Sequence, residues 1–295
     1  MIVRALLTEL EGLLRASVVL AESGENASLD REARELLSVV MDVAPGEVSR
    51  RTHDVIDAAL ADRALEVVRR RALGEPLAYA LGSAAFRHLT LLVDRRVLIP
   101  RPETEIVVDE ALKTMRGRPG GIAVDIGTGS GAIALALATE GEFDRVIATD
   151  LSADALAVAK ANLARLISPH TAVEFRLGAD LAPLAGIKAC LIVSNPPYIA
   201  PEEASSLPAS VRDWEPAVAL YADDGGMARY DQLLAGAADY LEPDGWLVLE
   251  TDARRARETV RRATGTGRYT GVRLVRDLAG RDRVLLAQAS GARPR

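Results

Sequence analysis

The chain of 295 residues has a single cysteine, Cys190, so no internal disulfide can form. That usage suits a reducing, cytoplasmic setting. Its three histidines, His53, His88 and His170, lie far from one another and from the cysteine, with no zinc-ligand spacing, so no structural metal is expected. Aromatic residues make up only 4%, which leaves the core to Ala, Leu and Val. No apolar run approaches the roughly 18 residues that a membrane span needs. The stretch Met1–Leu20 carries Arg4, Glu9, Glu11 and Arg15, and reads as an amphipathic helix rather than a signal peptide. An excess of positive charge is missing too: 36 Lys and Arg face 42 Asp and Glu, a net charge of -6. Gripping duplex DNA through its phosphates calls for clustered cations, so sequence-specific nucleic-acid binding is not expected. There is no internal repeat. What is present is an average globular composition, 49% hydrophobic and 26% charged. At roughly 100–200 residues per domain, the length allows one large domain or two unequal ones; nothing demands a dimer.

Residues 1–75 read as all-helical. Val3, Leu6, Leu7, Leu10, Leu13 and Leu14 recur at helical spacing. After a break at 23–26, Ser28 is placed to cap a second helix with Ala33, Leu36, Leu37, Val40 and Met41 on one face, broken by Pro45-Gly46. A third helix is expected over 54–73, with Ile56, Leu60, Ala64, Val67 and Val68 inward. The triplet Arg69-Arg70-Arg71 at its end admits two readings. One is a solvated helix end that complements the dipole; the other is a contact to an acidic or RNA-bearing partner. Over 76–100, Phe86, Leu89, Leu91, Val93, Val97 and Ile99 suggest two short strands turned at Asp94-Arg95-Arg96, a hairpin linker. Pro100 and Pro102 hold a stiff, extended segment, and Thr104 is placed to cap a helix running to about 115.

From 121 the pattern alternates. Strands are expected at 121–126, 145–149, 172–177, 189–194, 245–250, 272–277 and 282–288, and helices at 131–140, 153–167, 226–241 and 253–263. This predicts an α/β domain over 101–290, a mostly parallel sheet with helices on both faces. The connection 277–281 is too short for a crossover helix, so the last two strands must be antiparallel. The tail 290–295 is expected to fray.

The first strand of this domain runs into Asp125-Ile126-Gly127-Thr128-Gly129-Ser130-Gly131 and then a helix. Glycines allow a tight turn and let a ligand approach the backbone. About 20 residues on, Asp150 ends the next strand, where a carboxylate accepts both hydroxyls of a ribose. An adenosine-type cofactor is the first inference. The spacing Gly127-x-Gly129-x-Gly131 resembles that of methyltransferases of this fold, and Asp125 suits a cationic amino-acid cofactor better than a pyrophosphate. Both favour S-adenosyl-L-methionine over NAD. Asp180 and Leu181 come after the third strand, where such folds hold adenine: Asp180 would accept from the exocyclic amine and Leu181 would pack on the ring.

The fourth strand ends in Ser194-Asn195-Pro196-Pro197-Tyr198. Asn195 and Pro196 both precede proline and are pushed to extended conformations. Neither proline has an N–H, so no ladder continues here. What remains is a rigid pair of acceptors, the Asn195 side-chain oxygen and the Pro196 carbonyl, beside the flat face of Tyr198. That set suits a planar NH2 group. Two acceptors hold its hydrogens, orient a weakly nucleophilic nitrogen and favour the positive charge that develops as it attacks a methyl group. The tyrosine would stack on the planar group. Asn195, at the meeting of both halves, is expected to face the cofactor as well.

These residues resemble a known family. The Asn195-Pro196-Pro197-Tyr198 motif is similar to that of amino-group methyltransferases generally. The wider set resembles the bacterial release factor glutamine methyltransferases, the HemK/PrmC family. It comprises Gly74–Tyr79, Leu98–Glu105, Asp125–Gly131, Ser194–Ile199, Arg212–Pro216 and Asp277–Arg283. The chain departs from the family pattern at Glu250-Thr251-Asp252 and over Ala222–Met227. The resemblance implies a seven-stranded class I (Rossmann-like) methyltransferase sheet with a small all-helical N-terminal domain. It implies methyl transfer to the side-chain N5 of the glutamine in the Gly-Gly-Gln motif of class 1 peptide chain release factors. It also implies that Asn195 and Pro196 hold the amide, that Arg101 to Thr104, with Glu103, form a loop near the substrate, and that residues 1–75 meet the release factor.

Three other classes fit the residues less well. A DNA adenine-N6 or cytosine-N4 methyltransferase uses the same motif on a flipped base, but residues 199–225 are too short and too acidic for a recognition domain. A non-catalytic cofactor-binding module has no need of Asn195-Pro-Pro-Tyr. An NAD-dependent oxidoreductase lacks a hydride-site histidine or Tyr-Lys pair near the loop.

Overall fold

The computed structural model describes residues 1–25, 27–167 and 169–291. Most of the tail expected to fray, 292–295, lies outside the described residues, as does Asn26 in the expected break. The chain divides into two compact units, one of Met1–Ala84 with Ser205–Glu215, the other of Ala85–Ala204 with Pro216–Arg295. The first unit thus extends past 75 and takes in a segment that the sequence places inside the α/β part.

The first unit is built from amphipathic helices. In Val3–Arg15 the buried face is Val3, Leu6, Leu10 and Leu14, and in Leu29–Val40 it includes Ala33, Leu36, Leu37 and Val40. Ala58–Ala72 is capped by Asp57, whose carboxylate accepts from Ala59 N at 2.8 Å, and buries Ala64, Val67 and Val68 against the same core. Ser28 does stand at an N-cap, but its side chain makes no capping bond. Pro45 opens a further short helix, Pro45–Arg50, because proline at the first position loses no hydrogen bond there. Two other short helices, Val18–Glu22 and Leu77–Leu81, carried no clear periodicity.

The reading of the arginine triplet as a solvated helix end holds for Arg70, which is exposed in the last turn, and fails for Arg71. Arg71 is buried and donates to Glu32 at 2.8 Å and to Glu25 at 2.9 Å. Burial alone would lower its pKa, but Glu32 and Glu25 hold it above the usual value. Glu25 also accepts from Ser210 N at 3.0 Å, which ties the inserted segment to this unit. Arg70 pairs with Glu75 at 2.5 Å and donates to the carbonyls of Tyr79 and Ala80, so the Gly74–Tyr79 motif is a helix stop built around an ion pair.

The unit boundary falls inside a two-stranded hairpin, β1 (Ser83–Phe86) and β2 (Leu89–Leu92). The expected turn at Asp94-Arg95-Arg96 is therefore displaced: the strands turn at Arg87-His88, and Val93 and Val97 lie beyond them. Arg87 takes a left-handed φ of 54°, held by Glu105, whose carboxylate accepts its N–H at 2.8 Å, and by Glu140 at 2.7 Å.

The second unit is a seven-stranded sheet in the order β5-β4-β3-β6-β7-β9-β8. The strands are β3 (Ile122–Ile126), β4 (Arg145–Asp150), β5 (Ala172–Leu177), β6 (Ala189–Ser194), β7 (Leu241–Glu250), β8 (Tyr269–Arg276) and β9 (Asp282–Ala289). Pairs among β3 to β7 are parallel; β9 runs antiparallel to both β7 and β8. Alternate residues feed two apolar layers. Ala123, Leu191 and Val193 join one with Val107, Val108 and Leu135, while Val124 and Ile192 join the other with Tyr230, Leu233 and Leu234. The expected helices appear as Ala132–Glu140, Ala153–Arg165, Ala228–Gly236 and Ala256–Gly265. Asp277 shapes the β8–β9 connection by accepting from Ala279 N and Arg281 N, each at 2.9 Å. Strand order reverses between β3 and β6, where open α/β sheets bind ligands beyond the carboxyl ends of their strands.

Candidate active site

A cleft opens at those carboxyl ends. The β3 side is the glycine loop. Gly127 and Gly129 line the cleft with φ of 72° and 56°, and nothing lies within 4 Å of where a Cβ would stand on either. The backbone is thus bare toward the cleft. Gly131 serves a different purpose: at φ 87° it opens the helix Ala132–Glu140, and a Cβ there would meet Leu135 and Ala159 at 3.2 and 3.3 Å.

The loop's own donors are largely spent. Gly127 N and Thr128 N both donate to the Thr149 carbonyl at 2.9 Å, Gly129 N to Asp150 Oδ2 at 2.9 Å, and Gly131 N to the Thr128 carbonyl at 2.8 Å. Asp125 already occupies the helix N-terminus, accepting from Ala134 N at 3.1 Å and from the Thr128 hydroxyl at 2.6 Å. A pyrophosphate needs free N–H groups and a positive helix end; here four loop N–H groups are taken and a carboxylate sits at the helix start. The residues fit an adenosyl cofactor with a positive charge and no phosphate.

Asp125 and Thr128 are buried and are not among the residues lining the cleft, so they support the loop from beneath. Burial pushes the Asp125 carboxyl up to about 7. Ser130 is likewise buried, and its carbonyl accepts from Asn162 Nδ2 at 2.8 Å. Asp150 does line the cleft. Its two oxygens are fixed by Gly129 N and by Ser152 N, each at 2.9 Å, and each carboxylate oxygen keeps a lone pair for a hydroxyl. Asp180 also lines the cleft, at a left-handed φ of 49°, and pairs with Arg229 Nη1 at 3.0 Å. Leu181, expected on an adenine ring, is not among the residues lining the cleft and packs beside Gly236, while Val218, Ala219 and Leu233 supply apolar lining there.

The facing wall is Ser194, Asn195, Pro196 and Pro197. The Ser194 hydroxyl donates to the Ile126 carbonyl at 2.7 Å and joins the two walls. Asn195 Nδ2 donates to Thr104 Oγ1 at 3.2 Å, and the Thr104 hydroxyl donates to Glu250 Oε2 at 2.6 Å. Thr104 is thus not a cap, since the helix Pro102–Thr114 begins before it and Arg101 holds the N-cap position. The segment expected as a loop near the substrate is this helix's first turn, and through Thr104 it reaches Asn195. Arg101 and Glu103 are not among the lining residues; the Glu103 carboxylate lies 4.0 Å from Arg281.

Tyr198 is not among the residues lining the cleft and is half-buried. It packs against the core layer of Tyr230 and Leu247, and burial raises the pKa of its phenol. Gly226, at φ 86°, lies directly on this segment: a Cβ there would stand 2.2 Å from the Tyr198 carbonyl oxygen.

Two families match the chain, the Methyltransferase small domain over residues 106–210 and the PrmC N-terminal domain over residues 11–82. The release factor glutamine methyltransferase of Moorella thermoacetica is 40% identical over 256 residues, 87% of this chain and 90% of that protein. That of Cereibacter sphaeroides is 36% identical over 280 residues, 95% and 98% of the two chains. A methyltransferase from Pyrococcus furiosus, 20% identical, shares the fold with a TM-score of 0.53 over 79% of this chain and all of that one. Among the described residues, no helix is long and apolar enough to cross a membrane. With such identity sustained over nearly the whole of both chains, the protein belongs to the release factor glutamine methyltransferase family.

Proposed function

We propose that this protein transfers the methyl group of S-adenosyl-L-methionine to the side-chain N5 of the glutamine in the Gly-Gly-Gln motif of class 1 peptide chain release factors. The observation that carries the reading is the juxtaposition, in one cleft, of bare glycine backbone and Asp150 with the Asn195-Pro196-Pro197 wall. The cofactor, when bound, supplies a methyl group on a sulfonium, which needs no activation. What the chain must add is orientation of a poor nucleophile.

Asp150 would hold the ribose hydroxyls, Gly127 and Gly129 would let the amino-acid end lie against the backbone, and the Asp180–Arg229 pair would border the adenine. Asn195 Oδ1 and the Pro196 carbonyl would accept the two hydrogens of the substrate amide. Two fixed acceptors turn the nitrogen toward the methyl carbon and grow stronger as the nitrogen becomes positive. The methylated nitrogen then loses a proton to water, so no general base is required.

The helical unit of Met1–Ala84 is assigned the recognition of the folded release factor. The partner is a protein rather than a nucleic acid, the enzyme acts as a monomer, and the cytoplasm is where release factors meet it. Incubation with labelled S-adenosylmethionine and either a release factor, duplex DNA or no acceptor tests the reading. Label is expected on the release factor alone; label on DNA would replace this assignment with a base methyltransferase, and tight binding without transfer would leave a non-catalytic module.

A further inference from the structure

Behind Asn195 runs a polar thread that the amide-clamping reading does not by itself require. It passes from Asn195 Nδ2 to Thr104 Oγ1 at 3.2 Å, and from the Thr104 hydroxyl to Glu250 Oε2 at 2.6 Å. Its members come from three distant parts of the chain: the end of β6, the first turn of the helix Pro102–Thr114, and the end of β7. Thr104 and Glu250 are both buried. Tyr230 donates to the Glu250 carbonyl at 3.0 Å, which pins the backbone from which the carboxylate projects.

Proton counting gives the thread a direction. Thr104 has one hydroxyl proton, and an ionised carboxylate can only accept. The proton therefore goes to Glu250, and the Thr104 oxygen is left to accept from Asn195. The asparagine amide must then turn its NH2 to Thr104 and keep its oxygen for another donor. With Glu250 protonated, the carboxyl would donate to Thr104, Thr104 to the Asn195 oxygen, and the asparagine NH2 would face the substrate NH2, donor against donor.

We propose that Glu250 and Thr104 are positioning residues for methyl transfer: the buried carboxylate sets the direction of the thread, and the thread holds Asn195 with its oxygen toward the substrate amide. The inference rests on the amide-clamping reading of the cleft. The same polarity draws electron density toward the Asn195 oxygen, which strengthens it as an acceptor while the substrate nitrogen gains charge.

The surroundings of Glu250 make its charge adjustable. Burial pushes its carboxyl up to about 7; Arg283 on β9 and Arg101 at the helix start pull it down, and Glu103 pushes it up. The nearby phenols of Tyr198 and Tyr230 have raised pKa values from burial and stay neutral. Turnover should therefore fall as pH drops through about 7, and that limb should depend on Glu250.

Steady-state kinetics on a Gly-Gly-Gln release factor test this with Thr104→Val, Thr104→Ser and Glu250→Gln, each with kcat and KM separated. Loss of an outer partner that orients a metal ligand costs about 10–100-fold in affinity or activity, and a loss of that order is expected here. Thr104→Val should show that loss in kcat with little change in KM, and Glu250→Gln, whose amide can turn either its oxygen or its NH2 to Thr104, a smaller one. Thr104→Ser, which keeps the hydroxyl, should retain most activity. The acid limb should vanish in Glu250→Gln. In an Asn195→Ala background Thr104→Val should add no further loss, because the residue through which it acts is gone. Wild-type kcat in Thr104→Val, a Thr104→Ser loss as large, an acid limb retained in Glu250→Gln, or losses that multiply with Asn195→Ala would each overturn the inference. Should Thr104→Val not fold, Thr104→Ser and Glu250→Gln decide. Absence of methylated glutamine with the wild-type enzyme would instead overturn the underlying reading.

Discussion

The two walls of the cleft are built on opposite plans. The glycine-loop wall is satisfied from nearby in the chain: Asp125 at the end of β3, and Thr149 and Asp150 at the end of the next strand, β4, take up its backbone donors. The Asn195 wall has little local support, because its prolines donate nothing. Its one functional side chain is held by Thr104, 91 positions away, which is held in turn by Glu250, 146 positions further on. A wall completed within one strand–loop–helix–strand run needs only that run to be assembled. One completed from afar exists only when the whole domain is assembled, and it places chemistry under the control of residues that never touch the substrate.

Substitutions in each wall should separate these plans. The largest effect is expected on the distant-supported side. Removing a single preorganised partner commonly costs about 10²–10³ in rate, so Asn195→Ala should lose at least about a hundredfold in kcat while calorimetry finds S-adenosylmethionine affinity within a few-fold. An equal loss in cofactor affinity would merge the two walls into one. Next is Gly226→Ala. A Cβ set 2.2 Å from the Tyr198 carbonyl, at φ 86°, forces the Asn-Pro-Pro-Tyr segment to move. Overpacking of this kind costs about 1–3 kcal/mol, and urea unfolding should show it alongside lower turnover.

On the locally satisfied side, Asp150→Ala should weaken cofactor binding at least about tenfold, or about 1.4 kcal/mol, by losing both hydroxyl contacts and freeing Gly129 N. Titration with NAD should give no binding to the wild type; binding of NAD and not of S-adenosylmethionine would contradict the loop argument. The smallest effect concerns pH. Asp125 titrates near 7 in the folded chain and near 3.8 ordinarily, so the native state holds the proton more tightly between those values. Its contribution to stability is therefore greatest at the acid end and declines as pH rises toward 7. Chemical denaturation across that window should show the decline reduced in Asp125→Asn; an unchanged slope would place the burial penalty elsewhere.

Legibility in the sequence divides along the same line. That Gly127, Gly129 and Asp150 share one cleft could be read because the loop and the strand ends lie at fixed local spacing. Asn195, Pro196 and Pro197 could be read because proline restricts its own neighbourhood. The sheet and the antiparallel final pair were legible from period and connection length. What failed depends on tertiary context. Tyr198 resembled a stacking platform, but it is half-buried against the core layer and is not among the cleft-lining residues. Leu181 resembled an adenine contact, while Val218, Ala219 and Arg229 reach the cleft from elements with no motif of their own. The hairpin turn at Arg87 was hidden because an arginine at positive φ carries no turn signal; Glu105 and Glu140 hold it there. Arg71 looked like surface charge, and only the fold brings Glu25 and Glu32 to it.

The central claim is that this cleft methylates a side-chain amide nitrogen. Tandem mass spectrometry of a Gly-Gly-Gln release factor, after incubation with the enzyme and S-adenosylmethionine, tests it most directly. One added methyl on the glutamine side chain, nearly absent with Asn195→Ala and partly retained with Asn195→Asp, which still accepts hydrogen bonds, is the expected result. A methyl on a backbone atom or a carboxylate oxygen, or full methylation by Asn195→Ala, would contradict it.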